Sequence, residues 1–303
     1  MIGTTTLGRT GIRVSRLGLG AAPLGGVMGP VSDAEAEALM AEVAKTPDVL
    51  IDTAPFYGMG LSERRVGRAL AQLPPGTGVV STKVGRLIRD GAYVEDYSYD
   101  GAMRSFEDSF ERLGGRVIDI AHVHDPDNHF AAAMNGAFRA LRHLKETGAI
   151  RAVSAGMNQW QMLGQFIDAG VVDCVLLAGR ITLLDQSAEA GGFLAKCAST
   201  GTGLVAGGVF NSGILADPDR TPRFDYAPAS PEILTRARQI NALCASHNVP
   251  LRAGAIQYPL RHSAVDAVIL GVADRVEWID NIAMAEIRIP DGLWNDLVER
   301  QAC

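Results

Sequence analysis

The chain has 303 residues, 47% hydrophobic and 20% charged, with a formal net charge of -6. These proportions fit a globular protein with a large core and exclude a disordered chain, while the acidic balance and the lack of any Lys/Arg cluster exclude a sequence-independent nucleic-acid surface. No apolar run approaches the ~20 residues that span a bilayer, and the start, MIGTTTLGRTGIRVSRLGLG, lacks the basic-then-apolar order of a secretion signal. A cytoplasmic protein acting on a small molecule is expected, with neither membrane nor nucleic acid as partner.

In chain order, TTTLGRTGIRV (4–14) reads as a short hairpin turned at Gly8-Arg9-Thr10-Gly11, placed where it would cap a barrel floor. Eight strand-like runs follow: RLGLGA (16–21), VLID (49–52), VVSTK (79–83), IDIAHVH (118–124), IRAVSAG (150–156), CVLLAG (174–179), LVAGG (204–208) and AVILG (267–271). Most are apolar on both faces, and amphipathic helical patterns separate them, which predicts an α/β fold, a (β/α)8 TIM barrel. With no linker or low-complexity stretch, residues 1–303 are expected to form one domain.

Helix boundaries are readable. Ser32 with Glu35 is a capping box, Ser62 precedes Val66, Ala69, Leu70 and Leu73, and Met103, Phe106, Phe110 and Leu113 form one stripe. Met134, Phe138 and Leu141 continue the pattern; Ser230-Pro231 opens a later helix and Asp291 a last one, with Leu293, Trp294, Leu297 and Val298. Cys174, Cys197, Cys244 and Cys303 lie far apart without zinc spacing and are expected as reduced, mostly buried thiols.

Chemistry concentrates at strand ends, where (β/α)8 barrels carry their reacting groups. Asp52, Lys83 and His124 close the second, third and fourth runs, and Tyr57 lies just beyond the second. Alternation puts Leu50 with Asp52 and Ser81 with Lys83, so carboxylate and ammonium point into one mouth as an ion pair. A free phenol titrates near about 10 and a neighbouring ammonium lowers that value, so Tyr57 is expected to exchange a proton near neutral pH. Asp52 would keep Lys83 charged, and His124 would donate a hydrogen bond to a substrate oxygen.

Other signals leave alternatives open. His122 and His124 make an H-x-H pair of the kind that holds a catalytic metal, giving a metal-dependent hydrolase as a second class. His129, His143 and His262 fall in helical patterns and His247 at a helix end, so partners are missing and His122 is expected deeper in the barrel, satisfied by a hydrogen bond. A nucleotide-binding sensor without activity is a third class. LGLGAAPLGG lacks G-x-G-x-x-G spacing. Gly207-Gly208 is either a strand-ending turn or a close approach to a pyrophosphate. Arg180 contacts a ligand or forms a surface ion pair. Charged and aromatic residues including Arg86, Tyr93, Asp225 and Tyr226 sit in loops 23–31, 86–98, 127–130 and 216–229, which would set the substrate.

The strings LGRTG (7–11), DTAPFYG (52–58), STKVG (81–85), DIAHVHDPD (119–127), IRAVSAGMNQW (150–160), GGVFNSGIL (207–215) and GVADRVEWIDN (271–281) resemble, in order and spacing, the aldo-keto reductase superfamily. Within it, AAPLGG, HDPD, GMNQ and GVFNSGIL look most like bacterial NAD(P)-dependent aldose 1-dehydrogenases of the L-fucose or D-threo-aldose type, with pyridoxal 4-dehydrogenases close behind. The resemblance implies hydride transfer between the anomeric carbon of an aldose and a nicotinamide dinucleotide, giving a lactone. It also implies a catalytic tetrad of Asp52, Tyr57, Lys83 and His124, with Tyr57 as general acid/base. Ser154 and Asn158 would hold the nicotinamide carboxamide. The pyrophosphate and adenosine would lie along Gly207, Gly208, Val209, Phe210 and Gly213, and along Gly271, Asp274, Arg275 and Asn281. Two departures stand out. Gly207 occupies the place of a nicotinamide-stacking aromatic ring, for which Phe210 is a substitute. Ala273 and Asp274 stand where NADP-preferring relatives carry cations, which points to NAD over NADP because a carboxylate repels a 2′-phosphate.

Overall fold

A computed structural model describes residues 2–301, with side chains through Leu297, so Cys303 and the side chain of Val298 lie outside the described residues. Eight parallel strands close on themselves in sequence order. They are β1 (Leu17–Gly20), β2 (Leu50–Asp52), β3 (Val79–Val84), β4 (Ile120–His124), β5 (Ala152–Met157), β6 (Cys174–Ala178), β7 (Gly203–Gly207) and β8 (Ala267–Gly271). Each falls within or across one of the eight runs read from the sequence. Helices cover the outside, making the (β/α)8 barrel expected from strands that are apolar on both faces.

The inner face is filled from below. Leu50, Val79, Ile120, Cys174, Val205 and Ile269 pack with Leu7, Ile12 and Val14 of the N-terminal hairpin, whose strands Thr4–Thr6 and Arg13–Ser15 pair antiparallel. The hairpin is the barrel floor. Asp266 fastens it, its Oδ2 accepting from the backbone N–H of both Gly8 and Leu204 at 3.0 Å. Gly8 has φ +46°, and a Cβ there would lie 2.3 Å from Gly203 N, so no larger residue fits this seam.

Some helix boundaries differ from the sequence reading for local reasons. Ser32 and Glu35 do cap Asp33–Val43 reciprocally. Ser62, however, is no cap, because its helix begins at Leu61 after a left-handed Gly60. Its hydroxyl donates to the Ala21 carbonyl at 2.7 Å and lies 2.8 Å from that of Thr53, tying the loops after β1 and β2 together. Met103, Phe106 and Leu113 turn inward as expected, but Phe110 is 42% exposed. Between Phe130–Ala132 and Phe138–Glu146 the helix widens into a π-turn at Ala133–Ala137, where Ala137 N–H donates to the Tyr97 carbonyl at 2.9 Å. That contact matters at the mouth, since the Tyr97 hydroxyl lies 2.6 Å from the His124 carbonyl and 2.8 Å from that of Asp125. His129 stands just ahead of its helical turn and His262 beyond the helix Leu251–Leu260. Cys174, Cys197 and Cys244 are free and buried. Among the described residues no helix is long and apolar enough to cross a membrane.

Candidate active site

Strand alternation delivers Asp52, Lys83 and His124 to the carboxyl end of the barrel, buried to 2%, 2% and 6% exposure. The Lys83 Nζ donates to Asp52 Oδ2 at 2.5 Å and to the Thr53 carbonyl at 2.9 Å, while Ser81 donates to Asp52 Oδ1 at 2.8 Å. Both buried charges are therefore paired and hydrogen-bonded, the condition under which such a couple is tolerated.

Tyr57 is placed by its backbone. The loop after β1 presses on it so closely that a Cβ at Gly25 would lie 2.5 Å from the Tyr57 carbonyl carbon. Arg65 pins that loop, donating to the Leu24 and Val31 carbonyls at 2.6 Å and to Asp33 at 2.8 Å. The ring of Tyr57 then has Lys83 Nζ 4.8 Å from its centroid and the edge of His124 at 6.1 Å between centroids. The four residues singled out in the sequence thus lie together at the carboxyl end of the barrel.

Their proton affinities correct one expectation. The Tyr57 hydroxyl is pushed up to about 12, because burial disfavours the phenolate more than Lys83 favours it. In the free protein Tyr57 is thus a firmly protonated acid, not a group titrating near neutrality. Burial also opposes the charge on Lys83, but Asp52 and Tyr57 together hold it above the ordinary lysine value. Burial, then the charges of Lys83 and Arg86, keep His124 well below the usual imidazole range, so it is neutral and has a ring N–H to give. The sign of the pH dependence follows. Between about pH 7 and 10, kcat/KM for carbonyl reduction should stay flat and that for alcohol oxidation should rise about tenfold per pH unit with the phenolate fraction. A limb near neutrality that vanishes in Tyr57→Phe would contradict the high value.

His122 sits deeper in the barrel, as expected, with the Ala155 backbone as its one weak hydrogen-bond partner. It is 3% exposed, no side chain hydrogen-bonds to its ring nitrogens, and its nearest charged neighbour is Asp52 Oδ1, 3.5 Å from Nε2. Asp52 already accepts from Ser81 and Lys83, and burial pushes His122 down to about 4, leaving a neutral ring. Among the described residues no group of three or more His, Cys, Asp or Glu is arranged to hold a metal.

The residues assigned to a dinucleotide divide. Ser154 is fully buried, with Gly156 above it on the same face of β5, and its hydroxyl points to the Ala155 carbonyl at 3.4 Å, so it does not reach the mouth. Asn158 does, with its amide donating to the Ala178 carbonyl at 2.9 Å and meeting the Tyr226 hydroxyl. Gly207 ends β7 and Gly208 forms a left-handed turn against Gly179. Val209 is buried in the core, Phe210 packs beside it, and the Gly213 carbonyl accepts from Thr221 at 2.6 Å. Gly271 ends β8 and is exposed. Asp274 caps the helix Arg275–Glu286, its Oδ1 accepting from Val276 and Glu277 N–H at 2.7 and 2.9 Å, and Arg275 is exposed. Asn281 is 4% exposed, its Oδ1 accepting from Arg252 at 3.0 Å. Arg180 resolves as a latch between loops, pairing with both carboxylate oxygens of Asp225 at 3.0 and 2.9 Å.

Two cavities adjoin this ring of residues. One of about 400 Å³ is lined by Asp217, Pro218, Asp219, Asn241, Arg252 and Met284. Sequence reasoning missed Arg252, in the first turn of the helix Leu251–Leu260, whose mostly apolar sequence gives it no signal of its own. A smaller one of about 120 Å³, lined by Phe56, Arg86, Tyr93, Val94 and Glu95, lies on the His124 side, with the Phe56 and His124 rings 6.0 Å apart. Gly20, Gly156, Gly207 and Gly271 carry no side chain, and a Cβ at any of them would have no neighbour closer than 3.5 Å. The inner faces of four strands therefore end in backbone with no side chain over it, a bare cradle at the mouth that fits a dinucleotide.

The aldo/keto reductase family profile matches residues 16–300. Among curated proteins, the chain is 41% identical to a pyridoxal 4-dehydrogenase from Microbacterium luteolum, covering 96% of this chain and 95% of that protein. It is 36% identical to a D-threo-aldose 1-dehydrogenase from a Pseudomonas species, covering 95% and 94%. Among solved structures, an aldo-keto reductase from Bacillus halodurans in its holo form superposes with a TM-score of 0.82 at 22% identity, covering 99% and 96%, a likeness of fold alone. The barrel, the profile match and these relatives together establish that the chain belongs to the aldo/keto reductase family and is an NAD(P)-dependent oxidoreductase.

Proposed function

We propose that the chain, acting as one barrel domain, is an aldose 1-dehydrogenase of the L-fucose or D-threo-aldose type that uses NAD in preference to NADP. The observation that carries this reading is the buried Lys83–Asp52 pair beneath Tyr57, opening on a mouth lined by neutral His124 and by hydrogen-bonding side chains. When bound, the dinucleotide supplies the hydride acceptor in oxidation or the hydride donor in reduction. Tyr57, as phenolate, takes the proton of the anomeric hydroxyl as the C–H bond breaks, leaving a lactone; in reverse it returns that proton to the carbonyl oxygen. His124 donates a hydrogen bond to the same oxygen and so holds it toward Tyr57. Lys83 stabilises the phenolate, and Asp52 keeps Lys83 charged and aimed.

Asn158 would hold the carboxamide, and the larger cavity would take the adenosine. The preference for NAD rests on that cavity. Asp217 and Asp219 line it, and Arg252, the one basic residue among its described lining residues, is already engaged by Asp280 and Asn281. Asp219 is itself paired with Arg238 at 2.8 Å, so the cavity would repel a 2′-phosphate chiefly through Asp217, whereas a ribose hydroxyl can donate to either carboxylate.

Pyridoxal 4-dehydrogenase is the second reading, favoured by the 41% identity to the Microbacterium luteolum protein. Absorbance at the nicotinamide band with L-fucose, D-arabinose, L-galactose and pyridoxal, each with NAD and NADP, separates the two. The expected result is higher kcat/KM for an aldose with NAD. Turnover of pyridoxal alone, or a clear preference for NADP, would overturn the corresponding part of the proposal.

A further inference from the structure

Beside the reacting end of the barrel stands a carboxylate that neither the fold nor the tetrad requires. Asp125 follows His124 directly and has left-handed backbone, φ +40°, which turns its side chain back over the mouth. Its Oδ2 lies 3.6 Å from His124 Nε2 and 3.0 Å from an Arg86 guanidinium nitrogen. Apart from that ion pair, its carboxylate accepts no hydrogen bond among the described residues. The strand end holding it is fixed, because Asp125 N–H donates to the Gly156 carbonyl at 3.1 Å and the Tyr97 hydroxyl braces the carbonyls of His124 and Asp125. Burial raises the Asp125 carboxyl to about 6 against the pull of Arg86, the behaviour of a carboxylate short of donors.

Arg86 is held in turn. Its guanidinium stacks over the Phe56 ring at 5.0 Å and lies 3.5 Å from Glu95, its partner in the hairpin Arg86–Arg89/Ala92–Glu95. Two carboxylates share this one cation, so Arg86 is not free to take a phosphate or carboxylate on a substrate. Phe56 and Tyr93, 36% and 42% exposed with ring centroids 4.5 Å apart, form an apolar wall beside the pair. An acceptor carboxylate, a held arginine and an aromatic face together suit a small uncharged molecule with hydroxyls on one side and C–H groups on the other.

We propose that Asp125, held by Arg86, is a binding subsite for the hydroxyl on the carbon next to the reacting one, selecting uncharged polyhydroxylated substrates over aldehydes that lack that group. This rests on the oxidoreductase reading above and assigns the substrate contact that Tyr57 and His124 do not make. Asp125 touches substrate without exchanging a proton in the reaction.

D-Arabinose and 2-deoxy-D-ribose differ only by that hydroxyl, so the ratio of their kcat/KM values reads the subsite directly. Wild type should prefer D-arabinose by about 30-fold or more, since a site built around a hydroxyl discriminates strongly against its absence. Asp125→Gly removes the carboxylate while accommodating φ +40°, and should collapse the ratio to within about threefold, chiefly through a higher KM for D-arabinose. Asp125→Asn keeps an acceptor and the backbone preference and should give an intermediate ratio; it also serves if the glycine variant unfolds. Equal losses on both pentoses in both variants would assign Asp125 a structural role and overturn the proposal. Wild-type turnover of pyridoxal or a plain aldehyde with neither pentose accepted would overturn it while leaving the oxidoreductase reading intact. No turnover of any carbonyl or alcohol with either dinucleotide would overturn both.

Discussion

Replacing Tyr57 with Phe is expected to lower kcat by about a thousandfold in either direction, the scale of a well-placed general acid or base. The change removes one oxygen from a ring that the loop after β1 holds by its backbone, so the fold and the Lys83–Asp52 pair should be undisturbed. Dinucleotide affinity, followed by quenching of tryptophan fluorescence, should stay within about twofold of wild type because the lost hydroxyl faces the substrate oxygen. Retention of more than a tenth of wild-type kcat would remove Tyr57 from the proton transfer.

The second large effect is on stability and activity together. Lys83→Met leaves Asp52, 2% exposed, with only the Ser81 hydroxyl as donor, and stranding a buried charge costs about 3–5 kcal/mol. Asp52→Asn strands Lys83 in the same way. The double variant Asp52→Asn/Lys83→Met removes both charges and should recover most of the stability lost in the singles, because a neutral buried pair has no charge to desolvate. Neither variant lacking Lys83 should be active, since the phenolate then lacks its stabilising ammonium, and Asp52→Asn should be impaired because nothing then holds Lys83 charged and aimed. Urea unfolding together with kcat distinguishes the two roles. Recovery of activity in the double variant would mean that the pair holds up the fold and does no more.

Much of this was legible in the residues. Strand runs apolar on both faces at regular intervals can be buried only between helices and a packed interior, which is why all eight strands emerged where expected. The two-residue alternation was enough to point Asp52 and Lys83 at one another. The height of a residue within the barrel was less legible, because it depends on how strands stagger. Ser154 lies inside the fifth run and Asn158 just past its end, and only Asn158 reaches the mouth. Tyr57's acidity was misjudged for a related reason. Its neighbours can be read from sequence, whereas the loss of water around it arises only once the chain has folded, and that effect is the larger one. Ser62 looked like a cap because Ser often is one, but the loop sets the helix start one residue earlier with a left-handed Gly60, freeing Ser62 to join two loops. Which of its two readings Arg180 takes, and that Arg252 is engaged at all, could not be read locally, since Asp225 and Asp280 are distant in sequence.

The most direct test is a single turnover of enzyme with NAD and an aldose deuterated at its anomeric carbon, with the dinucleotide then examined by mass spectrometry. A hydride transfer driven from Tyr57 predicts one deuterium delivered to the nicotinamide ring, at a rate that climbs with pH in the wild-type protein and is all but absent in Tyr57→Phe. Label left on the sugar or lost to water, or transfer at an undiminished rate without the phenol, would contradict it.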